Sequence, residues 1–199
     1  MNEALAILAA YLLGAVPFGL LIAKSRGVDI RQVGSKNIGA TNVLRSVGKP
    51  WGILTFACDA LKGYLPSAWF PTLAGSAAGW LGMACALAAI LGHNFPVYLR
   101  FKGGKGVATS AGALLGLAPA AMGLGVVVWA ALLFAFRYVS LASIVAAAVV
   151  PAAGWWLYRD TPLLPGFLTA LGVLVIVRHR ANIQRLLAGT ENRFGRKKP

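Results

Sequence analysis

Three stretches, far apart in the chain, hold nearly all of its polar chemistry. The first reads V-G-S-K-N-I-G-A-T-N-V-L-R at 33–45. Gly34 and its neighbouring glycine let the backbone turn and present consecutive amides. Ser35, Asn37, Thr41 and Asn42 add side-chain hydrogen bonds, and Arg45 closes the set with a fixed positive charge. Such a set suits a phosphate or a carbonyl oxygen; the same residue types also make turns and cap a following helix. The second stretch reads G-H-N-F-P-V-Y-L-R-F-K-G-G-K-G-V-A-T at 92–109 and sets Lys102, Gly103, Gly104, Lys105 and Gly106 at the start of an apolar helix. Helix N-termini attract anions through unpaired amides and the macrodipole, so a phosphate site is the natural reading. A Walker loop is excluded, because the places that need glycine and a hydroxyl residue hold Leu99 and Gly106. The plainer alternative is a basic turn on the positive side of a membrane, with His93 a satisfied interfacial histidine. The third region joins Arg137, Ser140 and Ser143 in R-Y-V-S-L-A-S to R-H-R-A-N-I-Q-R-L-L-A-G-T-E at 178–191. There His179 and Asn182 are three apart, neighbours on a helix. Arginines in that position also anchor to anionic lipid head groups.

The elements that must carry these stretches are apolar. With 58% hydrophobic residues, 12% charged and a mean hydropathy of +0.72, the chain is built for a bilayer. Apolar runs at 4–23, 51–71, 74–95, 107–118, 119–136, 139–158 and 163–177 predict an all-α, polytopic integral membrane protein with seven transmembrane helices. It is read as a single domain, 1–199, with a basic tail at 193–199. Lysine and arginine favour cytoplasmic loops. Seven spans with the N-terminus outside and the C-terminus cytoplasmic place all 19 basic residues inside except Lys62 and Arg159. A break is expected at Ala118–Pro119, where proline removes a helical hydrogen bond. The first apolar run has no basic residue before it and is read as a retained span. Gly75 and Gly79, four apart, have the spacing of close helix packing.

Only five carboxylates occur, Glu3, Asp29, Asp59, Asp160 and Glu191, so a carboxylate-pair mechanism is disfavoured. Asp59 and Lys62, three apart inside an apolar run, are read as an internal ion pair supporting the site. Cys58 and Cys85 lack metal-ligand spacing and are read as packing residues, with no metal and no disulfide.

Taken together, G-S-K-N-I-G-A-T-N at 34–42, G-H-N-F-P with F-K-G-G-K-G-V-A-T up to Thr109, R-Y-V-S-L-A-S at 137–143 and R-H-R-A-N-I at 178–183 resemble the PlsY family of bacterial glycerol-3-phosphate acyltransferases. Order, spacing and length agree from end to end. The resemblance implies a bacterial inner-membrane enzyme with a cytoplasm-facing site. It implies transfer of an acyl group from acyl phosphate to glycerol 3-phosphate, giving 1-acylglycerol 3-phosphate and inorganic phosphate in phospholipid synthesis. It also implies a monomer among membrane lipids, with no coenzyme A, acyl carrier protein, cofactor, metal or nucleic acid.

Several phosphates gathered in one complex give the net charge of +14 a chemical reason. On this reading Gly103, Gly104 and Lys105, with Lys102 and Gly106, hold the donor phosphate. Arg45, Arg137, Ser140 and Ser143 bind glycerol 3-phosphate, Gly34, Thr41 and Asn42 are further substrate-binding residues, and the segment 35–42, with Ser35 and Asn37 catalytic, stabilises an oxyanion. His179 is one candidate base, and the substrate's own phosphate, with His179 and Asn182 positioning it, is the favoured alternative. An anion transporter would place polar residues at the bilayer midplane, and a lipid-binding scaffold would not need the glycine turns.

Overall fold

Pro17 cuts the first apolar run in two. Lacking an N–H, and with its ring against the preceding turn, it breaks the helix here. The segment therefore folds as α1 (Glu3–Ala15) and α2 (Phe18–Lys24). Asn2 caps α1 by accepting the Leu5 N–H at 2.8 Å. The break takes the Val16 carbonyl out of the regular ladder, and Lys62 Nζ donates to it at 2.7 Å.

The structure is a computed structural model and describes residues 1–195; of the basic tail expected at 193–199, residues 196–199 lie outside the described residues. It contains two compact units, Met1–Leu117 and one opening at Ala118. After α1 and α2 the first unit continues with α3 (Ala40–Ser46), α4 (Lys49–Ala68), α5 (Phe70–Leu73), α6 (Gly79–Asn94), a 3-10 turn at Val97–Leu99 and α7 (Val107–Leu117). Here α1 runs along α6 and α4 along α7. Both pairs meet backbone to backbone. A β-carbon on Gly63 would strike the Thr109 carbonyl, and one on Gly112 the Ala60 carbonyl. Gly92 presses likewise on the Tyr11 carbonyl and Gly14 on Ala89. Small residues at such crossings let dispersion act between main chains, the chief attraction available where lipid is as apolar as the side chains. Gly75 and Gly79, which have the expected spacing, do not serve in this way: neither has an atom within 4 Å of its β-carbon position. Gly112→Leu is accordingly expected to lower stability by about 1–3 kcal/mol, whereas Gly79→Ala shifts it by no more than about 0.5 kcal/mol. Thermal scans in one detergent compare the two.

The second unit holds α8 (Pro119–Phe136), α9 (Val139–Leu157), α10 (Leu163–Arg178) and α11 (Arg180–Leu187). Pro119 sits in the first turn of α8, where a missing N–H costs nothing. Arg137 turns the chain from α8 to α9 in a left-handed conformation, φ 61°. The Trp129 indole donates to Ser143 Oγ at 3.1 Å, fastening α8 to α9.

All described regular structure is helical, as expected, but the seven spans are not there. Among the described residues four segments are long and apolar enough to cross a membrane, Glu3–Lys24, Gly79–Leu99, Pro119–Phe136 and Val139–Leu157. A fifth is reached only if Leu163–Arg178 and Arg180–Leu187, bent by 57° at His179, count as one. The two losses have separate causes. α7 has 11 residues, which at ~1.5 Å per residue covers little more than half of a hydrocarbon core of ~30 Å. α4 has 20 residues but buries Thr55, Asp59, Lys62 and Ser67, and so is too polar to qualify. The orientation drawn from seven crossings, N-terminus outside and C-terminus cytoplasmic, loses its basis with that count.

Candidate functional site

In the first unit one side chain organises the loop before α3. Asn42 lies in the first turn of α3 and is 2% exposed. Its Oδ1 accepts the Ser35 N–H at 2.9 Å, and its Nδ2 is shared among the carbonyls of Ile30 at 3.1 Å, Val33 at 3.1 Å and Asn37 at 2.9 Å. Asn37 Oδ1 in turn accepts the Gly39 N–H at 2.8 Å. Held this way, the chain passes through left-handed conformations at Gly34, φ 60°, and Lys36, φ 58°. Non-glycine residues persist in that region only where their surroundings over-determine it, and such places gather at functional sites. The result leaves Ser35 and Lys36 exposed, Asn37 and Thr41 half-buried, and Arg45 exposed in the last turn of α3. Nearby, the Arg31 guanidinium donates to both oxygens of Asp29 at 2.9 and 2.7 Å, which holds that carboxyl down to about 2. The pair adds no net charge to the loop.

The second loop shares the floor of the first. Ile30, Ile38 and Val43 are buried with Leu20 and Ala23, and Leu99 of the 3-10 turn packs against them. Arg100 and Phe101 follow in left-handed conformations, φ 50° and 61°. The glycines after them are required by packing as much as by ligand access. A β-carbon at Gly103 would meet the His93 carbonyl and the Pro96 ring, and one at Gly104 the His93 imidazole at Nε2. At Gly106, which has φ 78°, it would lie 2.7 Å from Asn94 Oδ1. The Gly104 N–H donates to the His93 carbonyl at 3.1 Å. That amide is therefore committed to the loop itself, and Lys105 follows it directly into the N-terminus of α7.

In the second unit two of the predicted residues, Ser140 and Asn182, meet on a carboxylate that sequence reasoning left outside the site. Glu191 Oε1 accepts from Asn182 Nδ2 at 2.8 Å and from Ser140 Oγ at 3.0 Å, while Oε2 accepts Arg185 Nε at 2.7 Å. Burial alone would raise its carboxyl pKa, but hydrogen bonds from Asn182, Arg185 and Ser140 outweigh that and hold it below its usual value. The Phe194 N–H bonds the Arg137 carbonyl, and Arg193 Nε donates to Tyr138 Oη at 3.0 Å, so the segment after α11 lies along the start of α9. Ser143 Oγ donates to the Val139 carbonyl at 2.8 Å. His179 occupies the corner between α10 and α11, 3% exposed, with Nδ1 2.8 Å from the Val175 carbonyl. A carbonyl only accepts, so Nδ1 carries the proton in the neutral ring and Nε2 is the accepting nitrogen. The Asn182 N–H meets the His179 carbonyl at 2.8 Å, which joins these two residues across the corner. Glu191 was detectable: one of five acids in the chain, it closes a run of arginines.

The chain is similar to known proteins along nearly its whole length. The family model described as glycerol-3-phosphate acyltransferase matches residues 4–189. A glycerol-3-phosphate acyltransferase of Mesorhizobium japonicum is 47% identical over 194 residues, spanning 97% of this chain and 96% of that one. The protein of the same name from Aquifex aeolicus is 43% identical over 195 residues, spanning 98% and 100%. Among solved structures, the glycerol 3-phosphate form of PlsY (YgiH), an integral membrane glycerol 3-phosphate acyltransferase, superposes with a TM-score of 0.90 at 42% identity, covering 97% of this chain and 96% of that one. The lysophosphatidic acid form of PlsY (YgiH) gives 0.86 at 41% identity, covering 97% and 95%.

Proposed function

This chain belongs to the glycerol-3-phosphate acyltransferase family, and from that premise we propose how it works: it moves an acyl group from acyl phosphate to the sn-1 hydroxyl of glycerol 3-phosphate, giving 1-acylglycerol 3-phosphate and inorganic phosphate. It is a multi-pass protein of the bacterial inner membrane. It acts as a monomer, without coenzyme A, acyl carrier protein or metal.

The observation that carries this reading is the loop 103–106, folded on His93 and Asn94 at the N-terminus of α7 with Lys105 in it. Lys102, Gly103, Gly104, Lys105 and Gly106 hold the donor phosphate, whose charge grows as it leaves, and the cation with the helix end stabilises that growth. Ser35 and Asn37, with Gly34, Thr41 and Asn42 shaping their loop, stabilise the oxyanion formed when the hydroxyl attacks the acyl carbonyl. Arg45, Arg137, Ser140 and Ser143 serve glycerol 3-phosphate. His179 and Asn182 orient the acceptor, and the hydroxyl proton passes to the substrate's own phosphate. The Val175 carbonyl holds the His179 ring by its Nδ1, which suits that positioning role.

The site faces the cytoplasm. In the first unit Lys24, Arg26, Arg31, Lys36, Arg45, Lys49, Arg100, Lys102 and Lys105 belong to the end where the two loops share a floor. The opposite end joins Met1 to Leu73 and Glu3 to Ser76 and has no lysine or arginine. Basic residues collect on the cytoplasmic side whatever the number of spans.

Purified protein supplied with both substrates is expected to release phosphate and form lysolipid together, neither substrate sufficing alone and acyl coenzyme A giving nothing. Lys105→Ala loses at least about 100-fold in kcat/KM, the scale on which removing one charge-stabilising donor acts. Equal turnover with acyl coenzyme A would overturn the donor assignment.

A further inference from the structure

Asp59 and Lys62 form an ion pair of 2.8 Å with both side chains 2% exposed. Taking two charges out of water costs so much that apolar residues of similar size often replace such a pair without loss. Stability alone therefore does not account for it, and its surroundings supply a different reason. Lys62 Nζ reaches the Val16 carbonyl released by the Pro17 break and stands 5.5 Å over the Phe18 ring. Asp59 Oδ1 lies 3.6 Å from His93 Nδ1. His93 itself is 5% exposed. Its carbonyl takes the Gly104 N–H, and its Nε2 fills the space a side chain at 104 would need. One charged pair in α4 thus binds the α1–α2 break on one side and, on the other, lies within electrostatic reach, though not hydrogen-bond distance, of the ring on which the glycine loop rests.

We infer that Asp59 and Lys62 are positioning residues of the acyl transfer, acting through His93 to set the shape of the loop 103–106. They touch neither substrate. The carboxylate orients the imidazole by its Nδ1, and the lysine holds the carboxylate in place while tying both to the first span. The opposite edge of the ring then defines where Gly104, and hence Lys105, can sit. This rests on the reading that the loop holds the donor phosphate. Displacing reacting groups by about 1 Å from a distance can cost about 100-fold in rate.

The experiment is a kinetic comparison of wild type, Asp59→Asn, His93→Ala, Gly104→Ala and the double variant His93→Ala with Gly104→Ala. Both substrates are varied and each protein's thermal midpoint is recorded. Asp59→Asn is expected to lower kcat/KM for acyl phosphate by about 100-fold and to leave KM for glycerol 3-phosphate unchanged. Gly104→Ala alone loses activity by a similar factor because its methyl meets the His93 ring. In the His93→Ala background the same change costs at least about tenfold less, a coupling far beyond the roughly twofold within which independent sites add. If Asp59→Asn does not fold, the His93 and Gly104 cycle decides. Equal cost for Gly104→Ala in both backgrounds, or an Asp59→Asn effect confined to thermal midpoint and enzyme yield with kcat and both KM values unmoved, overturns the inference. Failure of wild type to use acyl phosphate would instead overturn the donor assignment, so the two failures are distinct.

Discussion

Asn42→Ala is expected to destabilise the first unit by about 3–5 kcal/mol and to lower kcat/KM by at least about 100-fold. The alanine removes the acceptor of the Ser35 N–H and the donor shared by three carbonyls, and the Ile30 carbonyl among them is reached inside the core. Buried groups deprived of a partner keep their full desolvation cost. Ser35, Lys36 and Asn37 then no longer have one arrangement. Asn42→Asp separates geometry from bulk. It keeps an acceptor for Ser35 but turns the donor into a second oxygen facing three carbonyl oxygens, so at neutral pH it is expected to be at least as harmful as alanine. Melting curves and kinetics together test both variants; near-normal activity in Asn42→Ala would show that the loop is shaped by something else.

The second large effect belongs to Glu191. Glu191→Ala leaves Asn182, Ser140 and Arg185 without their common acceptor and is expected to cost about 3 kcal/mol, with activity falling as Asn182 loses its orientation. The pH dependence has a definite sign. The folded carboxyl titrates below its usual value of 4.5, so its contribution is fully present above that value and is lost as pH falls through the lower, folded one. Stability should be level from neutrality down to the ordinary carboxylate range and drop beneath it. Glu191→Gln removes the titrating group, so the part of that drop due to Glu191 should vanish. A variant whose acid limb matched wild type would place the titration elsewhere.

The sequence carries the chemistry more clearly than the architecture. Glycine, lysine, asparagine and hydroxyl residues at fixed spacing mark the loops at 33–45 and 92–109, because loop conformation is encoded locally. The number of spans is harder, since a window of apolar residues reports neither how polar a buried helix is allowed to be nor how short. α4 reads as a span although Asp59 and Lys62 make it depend on protein neighbours, and α7 reads as one although its 11 residues fall short. The contact glycines escape notice for the same reason. Gly63 and Gly112 lie on different helices, and only tertiary structure pairs them. His93 and Asn94 stand within a recognised motif, yet their service as the floor of the glycine loop depends on a reversal of the chain between 95 and 102 that no periodicity describes. Glu191 is joined to Ser140, some fifty positions earlier, by a hydrogen bond that no local pattern announces.

The polarity of α4 also bears on how the protein is made. A helix enters the bilayer from the translocation channel when its own side chains favour lipid, and an aspartate and a lysine near its middle weigh heavily against that. The partners that relieve them emerge at different times: the Val16 carbonyl precedes α4 in synthesis, while His93 and the backbone of α7 at Thr109 come after it. Placement of α4 among its neighbours is thus a collective event, completed after the chain has been extended through α7. Until then the charges of α4 lack part of their surroundings, and bulky substitutions at Gly63 or Gly112, where α4 and α7 meet backbone to backbone, are expected to lower the quantity of folded protein.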